Sequence, residues 1–331
     1  MLKIGIAGMG RLGRFHAGKL QNNPSVCLEG CFDIISERNH AATQDFKIRA
    51  FGSFEELLEN VDAVDIVATT SAHFELAKAA LLAGKPIFVE KPLCAELWQA
   101  QDLVSLAQAR SLKIQVGHIE RFNPIIQKAM DFIQKPLFIE ASRVSPFQPR
   151  GTDVSVVLDL MIHDIDLILG FTQSPVTAVH ASGVGILSSS LDIASARIEF
   201  ANGALANVTS SRVALKQERQ FRIFQRDAYL SLDLISKTGV LIKKNKDAHD
   251  LFQTDEGKPP SQAEAMKLFD VQKLDASEAE DALQMELDQW VESILQDKEP
   301  VVDGKAGLRA LEAAVLITNA IKKQSKFEDK P

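Results

Sequence analysis

Residues 3–13 read KIGIAGMGRLG. An apolar run of strand length ends at Gly8, and a helical pattern opens at Arg11 and runs to Leu20. Between them Gly8, Gly10 and Gly13 recur at the spacing of a strand-to-helix turn. Gly8 permits the tight turn, Gly10 lets backbone approach a pyrophosphate, and Gly13 lets helix and strand pack closely. The free N–H groups and partial positive charge of the first helical turn favour phosphate. Met9, Arg11 and Leu12 complete the same candidate cofactor site. A bare GxGxxG is a weak signal, and its place at the head of a βαβ unit gives it weight. Asp33 closes the next strand, about 20 residues after Gly13, where it can accept both ribose hydroxyls. Its charge would repel a 2'-phosphate, so NAD is expected rather than NADP, with Arg38 as the residue that pulls the other way.

Outward from this turn, strand-length runs alternate with helical patterns. The runs are VCLEGCFD, VDAVDIVAT, KPIFVE and KIQVGH, with a shorter one at RAFG. The helices expected between them are Ser53–Glu59, opened by a capping box of Ser53 and Glu56, Ala72–Ala83, and Ala95–Arg110. Such alternation predicts a parallel sheet covered on both faces, here an α/β Rossmann domain over 1–119. From 120 the pattern changes. A helix from Pro124 to Gln134 and a strand PLFIEASRV lead to an apolar helix over about 154–169. Closely spaced strands follow, with Asn202-Gly203 as a hairpin turn. Residues 120–331 are therefore expected to form an α+β domain with an open, mostly antiparallel sheet, whose apolar face would favour a homodimer or homotetramer. Residues 247–277 read as a long polar loop. Two helices, near Glu278–Gln296 and Lys305–Lys323, close the chain.

Composition narrows the classes. The chain has 331 residues and a formal net charge of −7, which argues against a nucleic-acid partner. No apolar run approaches the ~20 residues needed to cross a bilayer, and the N-terminus lacks a signal-peptide layout. Cys27, Cys31 and Cys94 are sparse and odd in number, as expected of reduced thiols, and the expected location is cytoplasmic. They lack the partners of a zinc site, so no metal is expected.

Two stretches carry candidate chemistry. KPIFVEKPL, residues 85–93, ends a buried strand on Glu90 and Lys91 rather than on ordinary turn residues. A partly desolvated lysine beside a nicotinamide would have a lowered pKa and could take a proton as hydride leaves carbon. The ordinary alternative is a solvated loop charge. VSVVLDLMIHDIDLILGF, residues 154–171, is apolar yet carries Asp159, His163, Asp164 and Asp166. Asp159 and His163 are four apart, so a helix puts them on one face, where the carboxylate can orient the imidazole. The alternatives are a capped or salt-linked helix, or a metal pair, for which the sequence offers no evident third ligand. The loop after VDAVDIVAT adds Thr69, Thr70, Ser71 and His73 on the ligand side of the sheet, although Ser71 could simply cap the next helix and His73 could be a surface residue.

With GMGRLG, VEKPL and DLMIH in place, the sequence resembles the Gfo/Idh/MocA oxidoreductases over nearly its whole length. The resemblance implies a cofactor contact by Glu90 and Lys91. It also implies acid-base chemistry by Lys91 or His163 with Asp159 orienting, and an oligomer built on the second domain's sheet. HIERFNP, SPFQPRGTDVSVVLDLMIHDIDLIL and DAYLSLD further resemble a bacterial branch that oxidises the 3-hydroxyl of UDP-N-acetylglucosamine for lipid A synthesis. That implies a sugar or nucleotide-sugar substrate, with a free polyol such as inositol or a non-catalytic NAD sensor as alternatives. Arg121, Arg143, Arg150 and Arg212 are candidate diphosphate ligands. Asn123 is a candidate sugar ligand or a helix cap.

Overall fold

The structure, a computed structural model, describes residues 1–148, 154–245 and 268–328. The chain divides into two units, residues 1–122 with 280–315 and residues 123–279 with 316–331. The division differs from a single cut after 119. Glu280–Val315 returns to the first unit because its helix is apolar on one side and completes that core.

The first unit holds six parallel strands in the order β3-β2-β1-β4-β5-β6. They are β1 Leu2–Ala7, β2 Val26–Phe32, β3 Arg49–Ala50, β4 Ala63–Ile66, β5 Ile87–Glu90 and β6 Ile114–Gly117. Both faces of the central strands are apolar: Ile4, Ile6, Val64, Ile66, Ile87, Phe88 and Val89 are fully buried. This is what a parallel sheet between helix layers requires. The helices are α1 Arg11–Gln21, α2 Ser36–Phe46, α3 Phe54–Asn60, α4 Thr70–Leu82 and α5 Leu97–Ala109. A late helix, α8 Ala282–Leu295, brings the fully buried Trp290 edge-on to Phe88 at 5.7 Å. The strand order reverses direction beside β1, so the carboxyl ends of β1 and β4 flank the crevice where such sheets take ligands.

The sequence reading missed α2. Its residues SERNHAATQDF are polar, and only Ala42 is buried, so the apolar period is absent. Ser53 caps α3 as expected, accepting from the Glu56 amide at 3.1 Å, while the Glu56 carboxylate accepts from Gly52 instead of Ser53.

The second unit holds eight strands in the order β14-β13-β12-β11-β7-β10-β9-β8. They are β7 Phe138–Val144, β8 Val176–Val184, β9 Ile193–Phe200, β10 Leu205–Ser211, β11 Glu218–Phe224, β12 Ala228–Asp233, β13 Thr238–Lys244 and β14 Phe269–Asp275. All neighbours are antiparallel except β7 with β10. Gly203, at φ +84, turns β9 into β10. Helices α6 Pro124–Met130 and α7 Ile162–Thr172 also belong here, and α9 Gly304–Glu328 runs through the boundary between the units.

Two expectations need correction. β14 lies inside the stretch read as loop; six of its seven residues are not buried, so it carries no alternation to read. Most of the rest of 247–277 lies outside the described residues. The sheet face expected to be apolar is mainly polar. Along β9, Ala194, Ala196, Ile198 and Phe200 point into the core, while Ser195 and Arg197 alternate with them outside. Opposite the core Arg222 meets Glu140 and Ser195 meets Thr209. One apolar row does cross it, through Phe138, Phe224 and Tyr229, with ring spacings of 5.8 and 4.9 Å.

Candidate active site

The glycine turn has the form the motif demands. Gly8 sits at φ +104, and a Cβ there would lie 2.5 Å from the Val67 carbonyl oxygen. A Cβ on Gly13 would run into the Gly8 carbonyl. At Gly10, by contrast, the nearest atom is the Arg38 guanidinium at 3.9 Å, so the missing Cβ leaves room for a ligand. Gly10 caps α1 without a side-chain bond, and no acid occupies the first turn. Free amides and open space together fit a dinucleotide pyrophosphate.

Asp33 is 93% buried at the end of β2. Its carboxylate accepts from the Met9 amide at 2.7 Å and the Ile35 amide at 2.9 Å, and Arg38 stands 3.4 Å away. It therefore braces the glycine turn while keeping lone pairs to spare. Met9 acts through that amide alone, since its side chain is buried in the core. Arg11 and Leu12 are exposed at the start of α1.

At the end of β4, α4 begins at Thr70 with Thr69 as its cap residue. The Thr69 hydroxyl bonds that of Ser71 at 3.2 Å, so Ser71 is not the cap. His73 is buried, not on the surface. Its Nδ1 lies 2.9 Å from the Pro92 carbonyl and its Nε2 3.1 Å from that of Ala68. Burial lowers its pKa, against the raising effect of those carbonyls and of Glu90. Both ring nitrogens face carbonyls, and the neutral ring, with a single N–H, donates to one of them at a time.

β5 ends as Glu90-Lys91-Pro92, with the Lys91–Pro92 bond cis. Lys91 is half-buried, and its amide donates to Glu90 Oε2 at 3.1 Å. Glu90 forms an ion pair, without a well-aligned hydrogen bond, with His16 of α1. His16 Nε2 lies 3.3 Å from Glu90 Oε1, and His16 Nδ1 lies 2.9 Å from Asp65 Oδ2 on β4. Burial opposes charge on this ring, but Asp65 and then Glu90 raise its pKa to about 10, so it is an imidazolium at neutral pH. Glu90 is lowered: burial works against ionisation, and His16 and Lys91 more than offset it. Asp65 is raised, by burial first, with His16 opposing. The sequence reading overlooked His16 and Asp65. The signal was available, since an aspartate inside the apolar run VDAVDIVAT must find a partner when buried.

In the second unit, Asp159 lies in a π-helical turn, Val157–Met161, that runs into α7, where His163 follows. Both are half-buried. Single π turns inside α-helices occur often at functional sites. The other two acids have structural surroundings: Asp164 and Asp166 are buried, and Asp164 accepts three bonds from Arg143, two from Nε at 3.0 and 3.1 Å and one from a terminal nitrogen at 2.7 Å. Arg143 is thus engaged inside the unit and is not presented to a diphosphate. Arg212 is also buried, donating to the Val154 carbonyl beside Asp192. Asn123 caps α6 through Ile125 and donates to the Leu234 carbonyl, which favours the capping reading. Arg121 is half-buried, and Arg150 lies outside the described residues.

A glycine turn at the head of a βαβ unit, braced by a buried acid and followed by an α+β unit, is the architecture of a Rossmann-type dinucleotide-binding protein. Residues 2–118 match the family described as "Oxidoreductase family, NAD-binding Rossmann fold", and 139–231 match the "GFO/IDH/MocA C-terminal domain". The chain belongs to the Gfo/Idh/MocA oxidoreductase family. It is 36% identical over 97% of both chains to UDP-N-acetylglucosamine 3-dehydrogenase of Acidithiobacillus ferrooxidans. The solved structure of that enzyme, GnnA, superposes with a TM-score of 0.87 at 35% identity, covering 97% of this chain and 98% of that one. A myo-inositol 2-dehydrogenase of Thermotoga maritima is 25% identical over 73% of this chain and 78% of its own. A scyllo-inositol dehydrogenase of Lactobacillus casei, solved with NAD(H) and scyllo-inositol, shares the fold with a TM-score of 0.77 at 21% identity, covering 98% of each chain.

Proposed function

We propose that this oxidoreductase uses NAD to oxidise the 3-hydroxyl of UDP-N-acetylglucosamine or a closely related nucleotide sugar. The observation that carries the reading is the end-to-end likeness to the Acidithiobacillus enzyme. The inositol dehydrogenases are less similar and match over shorter spans. The 3-keto product would suit an aminating step, in keeping with a role in lipid A synthesis.

Gly8, Gly10 and Gly13 would hold the pyrophosphate, and Asp33 the adenine ribose. The bound nicotinamide supplies the hydride acceptor. Lys91 takes the hydroxyl proton, and His163, oriented by Asp159, hydrogen-bonds the sugar. His163 as proton acceptor with Lys91 as the binding group is the variant of this scheme. Of the four candidate arginines, Arg121 is taken as the diphosphate ligand. Self-association through the apolar row Phe138, Phe224 and Tyr229 is part of the same proposal.

NADH appearance with UDP-N-acetylglucosamine, free N-acetylglucosamine and inositol tests the reading. UDP-N-acetylglucosamine should be oxidised with the highest kcat/KM; a preference for inositol or the free sugar would refute it.

Cofactor choice gives a second test. Asp33→Asn keeps the shape and one of the two oxygens that accept from Met9 and Ile35, and removes the charge that repels a 2'-phosphate and pairs with Arg38. The ratio of the two cofactors, measured on the same variant, cancels the loss of the other bond. The NADP to NAD ratio of kcat/KM should rise by about tenfold, the scale of one charge-assisted phosphate contact. An unchanged ratio would mean that Asp33 does not select the cofactor.

A further inference from the structure

We propose that His16, buried between Asp65 and Glu90, is a positioning residue that fixes the backbone and electrostatic surroundings of Lys91. The proposal rests on the reading of Lys91 as proton carrier and adds how the fold holds it there.

The geometry forms one chain of contacts. His16 Nε2 meets Glu90 Oε1 at 3.3 Å, and Glu90 Oε2 accepts the Lys91 amide at 3.1 Å. One carboxylate therefore joins the helix that follows the glycine turn to the residue proposed for proton transfer. Its place is carved out: on β6 a Cβ at Gly117 would come within 2.9 Å of the Glu90 carboxylate. The far side of His16 is anchored by Asp65, at 2.9 Å and fully buried, and its ring stands edge-on to Phe88 at 5.5 Å. On the other side of the loop, His73 Nδ1 faces the Pro92 carbonyl. The loop is thus contacted on both sides of Lys91, through Glu90 and through Pro92.

Among the described residues, the charged or titratable groups facing His16 are Asp65 from β4 and Glu90 from β5. Those acting on Glu90 are His16 and Lys91, and Glu90 in turn acts on His73 and Asp65. Burying three ionisable groups in an apolar layer is no efficient way to stabilise a fold, since apolar side chains of similar volume do as well or better. A gain in placing Lys91 accounts for the arrangement, because small misplacements of a reacting group are costly to rate.

The test uses the full chain as wild type, His16→Gln, Glu90→Gln, the double variant and Lys91→Met. Gln at 16 keeps a donor but not the charge. His16→Gln should lower kcat by about 10–100-fold while the NAD dissociation constant stays within about threefold. The double variant should lose no more than the worse single one, because the two side chains act as one unit. Nitrogen NMR of the cofactor-free wild type at pH 8 should find both His16 ring nitrogens protonated. A wild-type kcat in His16→Gln, additive losses, or a neutral ring at pH 8 would each overturn the proposal. If His16→Gln fails to fold, Glu90→Gln decides: a kcat loss at unchanged NAD affinity supports it, and a normal kcat ends it. Near-normal turnover in Lys91→Met would instead remove the proton-carrier reading, which the NMR result leaves untouched.

Discussion

Lys91→Met should cost roughly 1,000-fold in kcat, within the range for removing a general acid-base group, and leave NAD binding near normal. Met approximates the length of the lysine side chain and takes away only its ammonium. The groups proposed to hold the cofactor are elsewhere: the free amides at the head of α1, the open space at Gly10, and Asp33 braced by Met9 and Ile35. Glu90 keeps His16 as its larger stabilising partner when the Lys91 charge is gone, so the carboxylate stays ionised and the loop stays placed. Stopped-flow or steady-state NADH formation measures the first effect, and titration of NAD by fluorescence the second. Turnover within a few-fold of wild type would show that the proton leaves by another group, and His163→Asn would then be the variant to follow. Loss of NAD affinity together with turnover would instead make Lys91 a cofactor ligand.

Much of this was legible in the sequence, for physical reasons that differ from place to place. The glycine turn announced itself because three positions each exclude a Cβ or need its space, and few other settings demand that spacing. The parallel strands were legible because burial on both faces leaves an unbroken apolar run, as in IFV of β5. Alternation marked β9 and β10, and Asn202-Gly203 marked the turn between them. What was lost lacked such a signature. α2 buries one residue, so it has no apolar period, and β14 is an edge strand with a mostly unburied surface. The roles of Arg143, Arg212 and Asn123 turned on partners distant in sequence: Asp164, the Val154 carbonyl and the Leu234 carbonyl. An arginine that will pair inside the protein looks the same in sequence as one that will meet phosphate. The charge pair Glu90-Lys91 raised the right question, but half of its answer, His16, sits three residues past a motif that drew attention to its glycines alone.

The buried cluster should also make stability depend on pH in a definite direction. His16 has a pKa of about 10 in the folded chain against an ordinary value of 6.5. The folded state therefore holds this proton where the unfolded chain has released it. The stabilisation is complete below pH 6.5, declines as pH rises, and is gone above about pH 10, with a limiting slope of about 1.4 kcal/mol per pH unit. Buried thiols add a similar loss only above pH 9, since burial raises Cys31 to about 11 and Cys94 to about 12 from 9.0. Urea denaturation between pH 7 and 9 thus isolates the histidine. The wild type should lose about 2–3 kcal/mol over that interval. The comparison protein is His16→Gln with Asp65→Asn, because His16→Gln alone leaves two buried carboxylates, one of which would take up the proton and mimic the same slope. The double replacement keeps an amide pair in the same space and should be nearly flat from pH 7 to 9. Equal slopes in the two proteins would mean that His16 carries no charge at neutral pH. A slope confined to the wild type would imply more than a stability effect. Loss of the imidazolium charge on the alkaline side removes the ion pair between His16 and Glu90, so the placement of Lys91 and the stability of the first unit should decline over the same pH range.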